Sequence, residues 1–203
     1  MKTQNKDFFA HKAENYEKDV ARVDNVTNIA NLILKEIDYD QNMNIMDFGS
    51  GTGLLLSKIA PYVNSITAVD ISKSMNKVLN EKKDEIHCKL KIEEVDLSKT
   101  ILDTKFDNII SSMTIHHVQD LKKLFQRFHD MLHNGGTIAI SDLDTEDGTF
   151  HKEDTGVYHF GFDREEFLNI AKEVGFTNLK IQTVGNVIKP YGEYGVFLLT
   201  GTK

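Results

Sequence analysis

Segments with the periodicity of strands and segments with the periodicity of helices alternate along this 203-residue chain. Five short strands rich in apolar or β-branched residues are predicted at 44–48, 65–70, 90–95, 107–113 and 137–143. Helices are predicted over 52–60, from a cap at Ser72 to about residue 85, along the apolar stripe from Leu121 to Leu132, and from a cap at Asp163 to Gly175. Asn134-Gly135-Gly136 would end the helix from Leu121. Because strands that alternate with helices build βαβ units, the pattern predicts a parallel sheet with helices on both faces.

Two further β-rich segments, at 178–188 and 194–202, follow with only a short stretch between them. Parallel neighbours need a crossover of about a dozen or more residues, so this pair is predicted to be antiparallel. We therefore predict an α/β fold with a doubly wound, mostly parallel seven-stranded sheet whose last strand is antiparallel. The length suits one domain, and residues 1–203 are predicted to form it.

A glycine-rich turn follows the first predicted strand. Gly49, Gly51 and Gly53 occupy alternate positions in the sequence DFGSGTG of residues 47–53. Glycines at such a turn let the backbone bend sharply and approach a ligand closely. In doubly wound sheets, ligands bind at the carboxyl ends of the strands where the strand order switches, so the turn predicts a ligand site.

Carboxylates end the second and third predicted strands. Asp70 lies 19 positions after Gly51, a spacing at which an acidic residue accepts hydrogen bonds from a ribose diol. Asp96 ends the third strand, where its side chain would reach an adenine amino group. The glycine turn and the two carboxylates together predict a nucleoside site.

The turn itself indicates which nucleoside fits. A dinucleotide-binding turn has its third glycine at the position that Leu54 occupies here. Asp47, just before the turn, would repel a pyrophosphate but would hold the ammonium group of an amino acid. Adenosine joined to methionine therefore fits, whereas a nicotinamide dinucleotide, and with it an oxidoreductase, fits poorly.

With these motifs the sequence resembles the class I S-adenosylmethionine-dependent methyltransferases, most closely the small-molecule branch that includes quinone-biosynthesis enzymes. The resemblance extends from about Tyr16 to the C-terminus, and its motifs are 47–53, Val69-Asp70, Val95-Asp96-Leu97, 106–112 and 132–140. It implies a Rossmann-like fold, S-adenosylmethionine as cofactor and an N-terminal lid over residues 1–20. The cofactor residues that it implies are Tyr16, Asp47, Gly49, Ser50, Gly51, Gly53, Asp70, Ile71, Met75, Asp96, Leu97 and Ser111.

Residues facing the methyl acceptor are expected in the loops after the fourth and fifth strands. His116 is the first candidate, because histidine titrates near physiological pH and so suits a general base. His151 and His159 are further candidates in the long loop 144–162, which is predicted to lie on the substrate side. This loop mixes histidines with carboxylates, but it has no recognised metal-ligand spacing, and no metal is predicted.

Composition narrows the class of acceptor and partner. The formal net charge is −7 and no basic block occurs, which disfavours a nucleic acid acceptor. Residues 111–114 also lack the Asn-Pro-Pro-Tyr-type sequence that grips a flipped base. No apolar run is long enough to span a membrane, and the single cysteine, Cys88, fits a reducing compartment, so a cytoplasmic protein is expected.

The sequence thus predicts an enzyme that transfers a methyl group to a small molecule by in-line displacement. A methyltransferase acting on protein or nucleic acid and a non-catalytic S-adenosylmethionine-binding module remain alternatives. The identity of the acceptor and the oligomeric state do not follow from the sequence.

Overall fold

The computed structural model describes residues 7–203. Seven strands form its sheet: β1 Asn44–Phe48, β2 Ser65–Val69, β3 Lys89–Glu93, β4 Phe106–Ser112, β5 Leu132–Leu143, β6 Thr177–Lys189 and β7 Gly192–Thr202. The α-helices are α1 Val20–Glu36, α2 Leu54–Ile59, α3 Lys73–Glu81, α4 Leu121–Met131 and α5 Arg164–Val174. Every strand predicted from the sequence is present, with ends shifted by a few residues.

The strands lie in the order β3-β2-β1-β4-β5-β7-β6. The first five strands in this order are parallel to one another, and β7 runs antiparallel to both β5 and β6. The prediction of a mostly parallel seven-stranded sheet with an antiparallel last strand is confirmed. The strand order reverses direction at β1, which has β2 on one side and β4 on the other, so the glycine turn after β1 lies at the switch point.

Alternate side chains of the central strands enter two separate hydrophobic cores. On one face, Ile110 packs with the apolar stripes of α1 and α2. On the other face, Ile109 packs with the stripe of α4, including Phe125 and Phe128. Helices therefore cover both faces, as the alternating pattern predicts, and the strands are held rigidly enough for their carboxyl ends to position a site.

Side-chain caps fix where several helices begin. The Ser72 hydroxyl accepts a hydrogen bond from the Met75 amide at the start of α3, and the Asp163 carboxylate caps α5. Both caps are predicted by the sequence. Gly175, in the left-handed region at φ +113°, ends α5 as expected.

Three boundaries differ from the sequence prediction. The helix expected over 52–60 is shorter, because residues 60–62 tighten into a 3₁₀ turn. The helix expected to reach residue 85 ends at Glu81, and a 3₁₀ turn follows it. Asn134-Gly135-Gly136 does not end α4; these residues belong to β5, whose early start is paired with β4 at Leu132.

Two segments outside the sheet complete the fold. Residues 13–18 form a 3₁₀ helix before α1, whereas residues 1–6 of the predicted lid lie outside the described residues. The loop 144–162 has no helix or strand of its own, and a bridge between Asp144 and Phe162 closes its ends. Across residues 7–203, none of the helices has the length and apolar character that crossing a membrane requires.

Candidate functional site

A cavity of about 1270 Å³ opens at the carboxyl ends of β1, β2 and β4. Its walls combine the glycine turn, the residues that follow β2, β3 and β4, the N-terminal segment from Asp7 to Arg22, and part of the loop 144–162. The two regions that the sequence predicts as lid and substrate-side loop thus meet the predicted nucleoside site in one space.

The glycine turn adopts a backbone that other residues rarely take. Gly49 and Gly51 have φ values of +70° and +53°, in the left-handed region. A Cβ atom on Gly49 would lie 2.1 Å from Cγ2 of Thr114, which excludes any side chain there. A Cβ on Gly51 would meet no described atom within 4 Å, because this residue faces the cavity. The turn therefore offers bare backbone to a ligand.

Asp70 ties this turn to the end of β2. Its Oδ2 accepts a 2.8 Å hydrogen bond from the Gly51 amide, and its Oδ1 accepts one of 2.8 Å from the Ser72 amide. Burial raises the pKa of Asp70, although these amide hydrogen bonds oppose the rise. A carboxylate has about four lone-pair positions, so each oxygen still has one to offer to a ligand hydroxyl.

Asp47 is a buried acidic residue whose side chain has one oxygen available to a ligand. It is 1 % exposed, and among the described residues its Oδ2 has no hydrogen-bond partner. Burial, and then the nearby charge of Asp70, raise the pKa of Asp47 to about 8. The hydroxyls of Ser50 and Thr52 in the same turn also lack partners within residues 7–203. Because unpartnered buried polar groups are costly, this cluster indicates a polar, cationic ligand.

Ten of the twelve predicted cofactor residues line the cavity: Tyr16, Asp47, Gly49, Ser50, Gly51, Asp70, Ile71, Met75, Asp96 and Leu97. Asp96 is already engaged, since it accepts hydrogen bonds from the amide and hydroxyl of Ser98 and from Lys99. Partial burial raises the pKa of Asp96, but these hydrogen bonds lower it overall. Tyr16 stacks against Arg22, whose guanidinium carbon lies 4.0 Å from the ring centroid.

Gly53 and Ser111, the other two predicted residues, do not line the cavity. Gly53 begins α2 at φ +89°, and a Cβ there would lie 2.6 Å from Leu79. Ser111 is fully buried, and its hydroxyl donates a 2.8 Å hydrogen bond to the Phe48 carbonyl. Side chains alternate along a strand, so the neighbouring Ser112 reaches the cavity instead. The structure therefore corrects both assignments to packing roles.

The N-terminal segment is fastened over the cavity by a residue that the sequence analysis did not single out. Asp7 accepts hydrogen bonds from the Ser72 hydroxyl at 2.9 Å and from the Ser74 hydroxyl at 2.6 Å. Further along, Lys12 forms a 2.7 Å ion pair with Glu153 of the loop 144–162. An aspartate near a chain start has no distinctive sequence signal, and only the fold reveals its partner.

Two of the three predicted acceptor-side histidines come together with a third. His116 is 1 % exposed, and its Nδ1 donates to Asp142 Oδ1 at 2.7 Å. Its Nε2 lies 3.2 Å from Nε2 of His151, which is 35 residues away in sequence. His117 lies beside both, with ring centroids 4.3 Å from His116 and 5.7 Å from His151. We call His116, His117 and His151 the histidine cluster.

Two members of the histidine cluster, His117 and His151, have neutral rings near neutral pH. Burial, and then the charge of His116, lower the pKa of His151 to about 3 and that of His117 to about 4. Asp142 stays ionised, because its contacts with His116 and with backbone amides outweigh the effect of complete burial and lower its pKa. The cluster therefore presents imidazole lone pairs to the cavity, with one fixed negative charge behind them.

His159, the remaining predicted candidate, is not part of this cluster. Its Nε2 bonds to the Val118 carbonyl at 2.9 Å, and its ring packs against Phe162. It does not line the cavity, so the structure does not support an acceptor-side role for it.

The comparison with known families decides what this site belongs to. The profile of the methyltransferase domain family matches residues 16–181. The chain belongs to this methyltransferase family. Together with the sheet order and the glycine turn, membership confirms the predicted class I methyltransferase, whose methyl donor is S-adenosylmethionine. The narrower resemblance to the quinone-biosynthesis branch stays a prediction.

Individual methyltransferases are similar over most of this chain. An uncharacterized methyltransferase of Schizosaccharomyces pombe is 27 % identical over 191 residues, which cover 84 % of this chain and 66 % of that protein. Phosphoethanolamine N-methyltransferase 1 of Triticum aestivum is 27 % identical over 163 residues, 79 % of this chain and 30 % of that protein. The chain thus spans less than two thirds of these relatives.

A solved structure shows the same fold. The Haemonchus contortus phosphoethanolamine N-methyltransferase 2, in complex with phosphomonomethylethanolamine and S-adenosylhomocysteine, aligns with a TM-score of 0.70 at 18 % identity. The alignment covers 87 % of this chain and 52 % of that one.

The residues of this methyltransferase site fit S-adenosylmethionine. Asp47 offers an unpartnered carboxylate oxygen to the ammonium group of the methionine part, and Asp70 keeps lone pairs for ribose hydroxyls. The open space at Gly51 admits a ligand against the backbone. A pyrophosphate would instead oppose ionisation of Asp47 and Asp70, whereas an ammonium group favours it.

Proposed function

We propose that this chain transfers a methyl group from S-adenosylmethionine to a small molecule that binds beside the histidine cluster. The cavity carries the proposal, because one space contains both the cofactor residues and the histidines. Ligand pockets for a single small molecule usually measure about 300–1,000 Å³. At about 1270 Å³, this cavity has room for a cofactor and a second, smaller molecule.

On the cofactor side, Asp47 would bind the ammonium group, Asp70 the ribose diol, and Met75 and Leu97 the adenine ring. When bound, S-adenosylmethionine supplies a methyl group on a sulfonium, which a nucleophile attacks directly. The task of the protein is then to align the acceptor with that methyl group and to exclude water. Alignment alone lowers a barrier by about 7–11 kcal/mol.

The cover over the cavity favours a small acceptor. Asp7 anchors the N-terminal segment to the start of α3, and Lys12 joins this segment to Glu153 of the loop 144–162. Phe8 also lies against Gly156 of that loop. A protein or nucleic acid acceptor would need these contacts to open, whereas a small molecule needs only a passage.

On the acceptor side, the chain supplies imidazole nitrogens of the histidine cluster and the Asp142 carboxylate that contacts His116. Asp142 fixes the orientation of His116 through Nδ1, which leaves Nε2 directed at His151. A proton that the acceptor loses would pass to the His116–His151 pair, where the negative charge of Asp142 stabilises the positive charge that forms. General base catalysis of this type contributes about 10²–10⁴-fold.

Phosphoethanolamine is the first acceptor to test, since it is the substrate in the printed name of the Triticum aestivum relative. Two cationic side chains of the cavity, Lys12 and Lys189, lie near enough to His151 to lower its pKa. Their positive charge suits an acceptor with an anionic group.

Calorimetry with S-adenosylmethionine and with NAD, followed by an assay for S-adenosylhomocysteine, tests the proposal. We expect binding of S-adenosylmethionine alone, and turnover with phosphoethanolamine or with another member of a panel of small amines, alcohols and thiols. His151→Ala should lower kcat at least 100-fold, whereas His159→Ala, outside the cavity, should keep it within a few-fold.

Two results would contradict different parts of the proposal. A folded protein with no affinity for S-adenosylmethionine would refute the transfer itself. Binding of S-adenosylmethionine together with methylation of proteins or nucleic acids, and of no small molecule, would refute the acceptor class alone.

A further inference from the structure

The histidine cluster has a geometry that proton transfer does not require. Its three rings each offer one ring nitrogen, and these nitrogens all lie within 4.8 Å of one another. The three residues come from two places in the chain, the 3₁₀ turn after β4 and the loop 144–162. This convergence explains why no metal-ligand spacing is visible in the sequence.

We propose that His116, His117 and His151 bind a divalent metal ion of the zinc class. Imidazole nitrogens are preferred ligands of zinc, and three protein ligands with an open fourth position are typical of zinc sites that bind water or substrate. This site goes beyond methyl transfer, and it would depart from the sequence-based expectation of no metal.

The distance between His116 and His151 suits a shared ion. Two ligands at about 2.0–2.1 Å from a tetrahedral zinc ion lie about 3.3 Å apart. The two Nε2 atoms are separated by 3.2 Å. His117 has to bring its nitrogen closer by about 1.5 Å at most to complete the set, since no pair exceeds 4.8 Å. Ligation would therefore require a rotation of the His117 side chain.

The surroundings of the cluster match those of metal-bound histidines. Such histidines nearly always engage their other ring nitrogen with a carboxylate or a backbone carbonyl, which fixes the ring and raises its basicity. His116 has Asp142 at Nδ1, with the carboxylate fully buried. The backbone of Gly156 lies close enough to His117 to raise its pKa, against the larger effect of burial. His116 thus has its supporting contact in place.

Charge and access are also compatible with a cation. Asp142 contributes a negative charge in direct contact with His116. The nearby Lys12 is paired with Glu153, and Lys189 donates a 2.6 Å hydrogen bond to the Phe150 carbonyl. All three histidines line the open cavity, so an ion can enter, and its fourth position faces the space assigned to the acceptor.

Metal titration of the full chain tests the site without any assay of activity. The protein should carry no histidine tag, be stripped with a chelator, and be titrated with Zn²⁺ by calorimetry and with Co²⁺ by visible absorption. We expect one ion per chain and the intense visible bands of four-coordinate Co²⁺. His117→Ala and His151→Ala should each weaken Zn²⁺ binding at least 100-fold.

Two further variants separate ligation from a general effect on folding. Asp142→Asn keeps the shape of the carboxylate and should weaken Zn²⁺ binding about 10–100-fold, as loss of a supporting contact does. His87→Ala, an exposed histidine outside the cluster, should leave binding unchanged. Thermal unfolding without metal establishes that each variant is folded.

The proposal is overturned if the wild-type chain binds Zn²⁺ no more tightly than both His117→Ala and His151→Ala, or if Co²⁺ shows only the weak bands of the hydrated ion. Because no methyl transfer is measured, either result would leave the proposed function untouched.

Discussion

The amide of Gly51 donates a 2.8 Å hydrogen bond to Oδ2 of Asp70, which joins the turn after β1 to the end of β2. The other oxygen of Asp70 accepts the Ser72 amide, where α3 begins. One carboxylate therefore shapes the glycine turn, holds the start of a helix and, in the proposed complex, binds a ribose. Its structural and binding roles use different lone pairs of the same two oxygens.

Asp70→Asn should impair both roles. An amide has only one acceptor oxygen, so either the Gly51 or the Ser72 amide loses its partner. We expect a loss of about 1–3 kcal/mol in the free energy of unfolding. Affinity for S-adenosylmethionine should fall at least 10-fold. Urea unfolding and calorimetry measure the two effects, and unchanged affinity would show that Asp70 does not contact the cofactor.

Alanine at Gly51 should mainly affect cofactor binding, whereas alanine at Gly49 should mainly affect stability. Gly51→Ala places a methyl group in the cavity, so it should abolish cofactor binding. It should also lower the free energy of unfolding by about 1–2 kcal/mol, because alanine is strained in a left-handed backbone. Gly49→Ala drives its Cβ into Thr114 and should cost about 1–3 kcal/mol more through overpacking. Comparing urea unfolding with calorimetry for the two variants tests this, and equal destabilisation would contradict it.

The raised pKa of Asp47 predicts a pH-dependent stability of the ligand-free protein. The pKa is about 8 in the folded state against 3.8 for an ordinary aspartate, so between these values the folded chain binds more protons than the unfolded chain. The free energy of unfolding should therefore fall as the pH rises from about 4 to about 8. Asp47→Asn removes this contribution.

Thermal unfolding between pH 5 and pH 9, with wild type and Asp47→Asn side by side, measures the effect. The variant should lose less stability at the alkaline end, yet bind S-adenosylmethionine more weakly, because an amide lacks the charge that attracts an ammonium group. Parallel pH profiles for the two proteins would show that Asp47 is not the group responsible.

Removal of the His116 ring should affect folding as well as acceptor chemistry. Asp142 is fully buried, and His116→Ala leaves this carboxylate without its side-chain hydrogen-bond partner. We expect the free energy of unfolding to fall by about 3–5 kcal/mol. His151→Ala, at the open end of the cluster, should lower the free energy of unfolding by less than half of that amount. Urea unfolding of both variants decides whether lost activity in His116→Ala has a structural origin.

Local patterns in the sequence are sufficient to predict the sheet, the glycine turn and the acidic residue that follows β2. The glycine turn, Asp70 and the cap at Ser72 each depend on residues close together in the chain, and the structure shows them as expected. The family motif assigns Ser111 to the cofactor site. In the structure, strand alternation places Ser112 at the cavity and Ser111 in the core.

The acceptor side depends on contacts that only the tertiary fold creates. His151 contacts His116 from 35 positions away in the sequence, and Asp142 contacts His116 from 26 positions away. No periodicity or spacing encodes such contacts, since they arise where a long loop returns over the sheet. The sequence therefore offers His116, His151 and His159 as candidates, but only the fold brings the first two together with His117 and leaves His159 apart.

An ion pair between Arg164 and Asp144 holds the start of the loop that carries His151. The guanidinium group of Arg164 holds both oxygens of Asp144, with Nε–Oδ1 at 2.6 Å and Nη2–Oδ2 at 2.7 Å. Such a paired contact fixes orientation as well as distance. It clamps the start of the loop 144–162 to the beginning of α5.

Arg164→Gln should loosen this loop and leave the glycine turn intact. We expect faster proteolysis within 144–162 and a higher KM for the acceptor, with an affinity for S-adenosylmethionine within about two-fold of wild type, because the two ends of the cavity rest on different elements. Lys122→Gln removes an exposed ion pair with Glu173 and serves as the control, with no change expected. If Arg164→Gln weakened cofactor binding as much as acceptor binding, the loop would have to be assigned to the cofactor side as well.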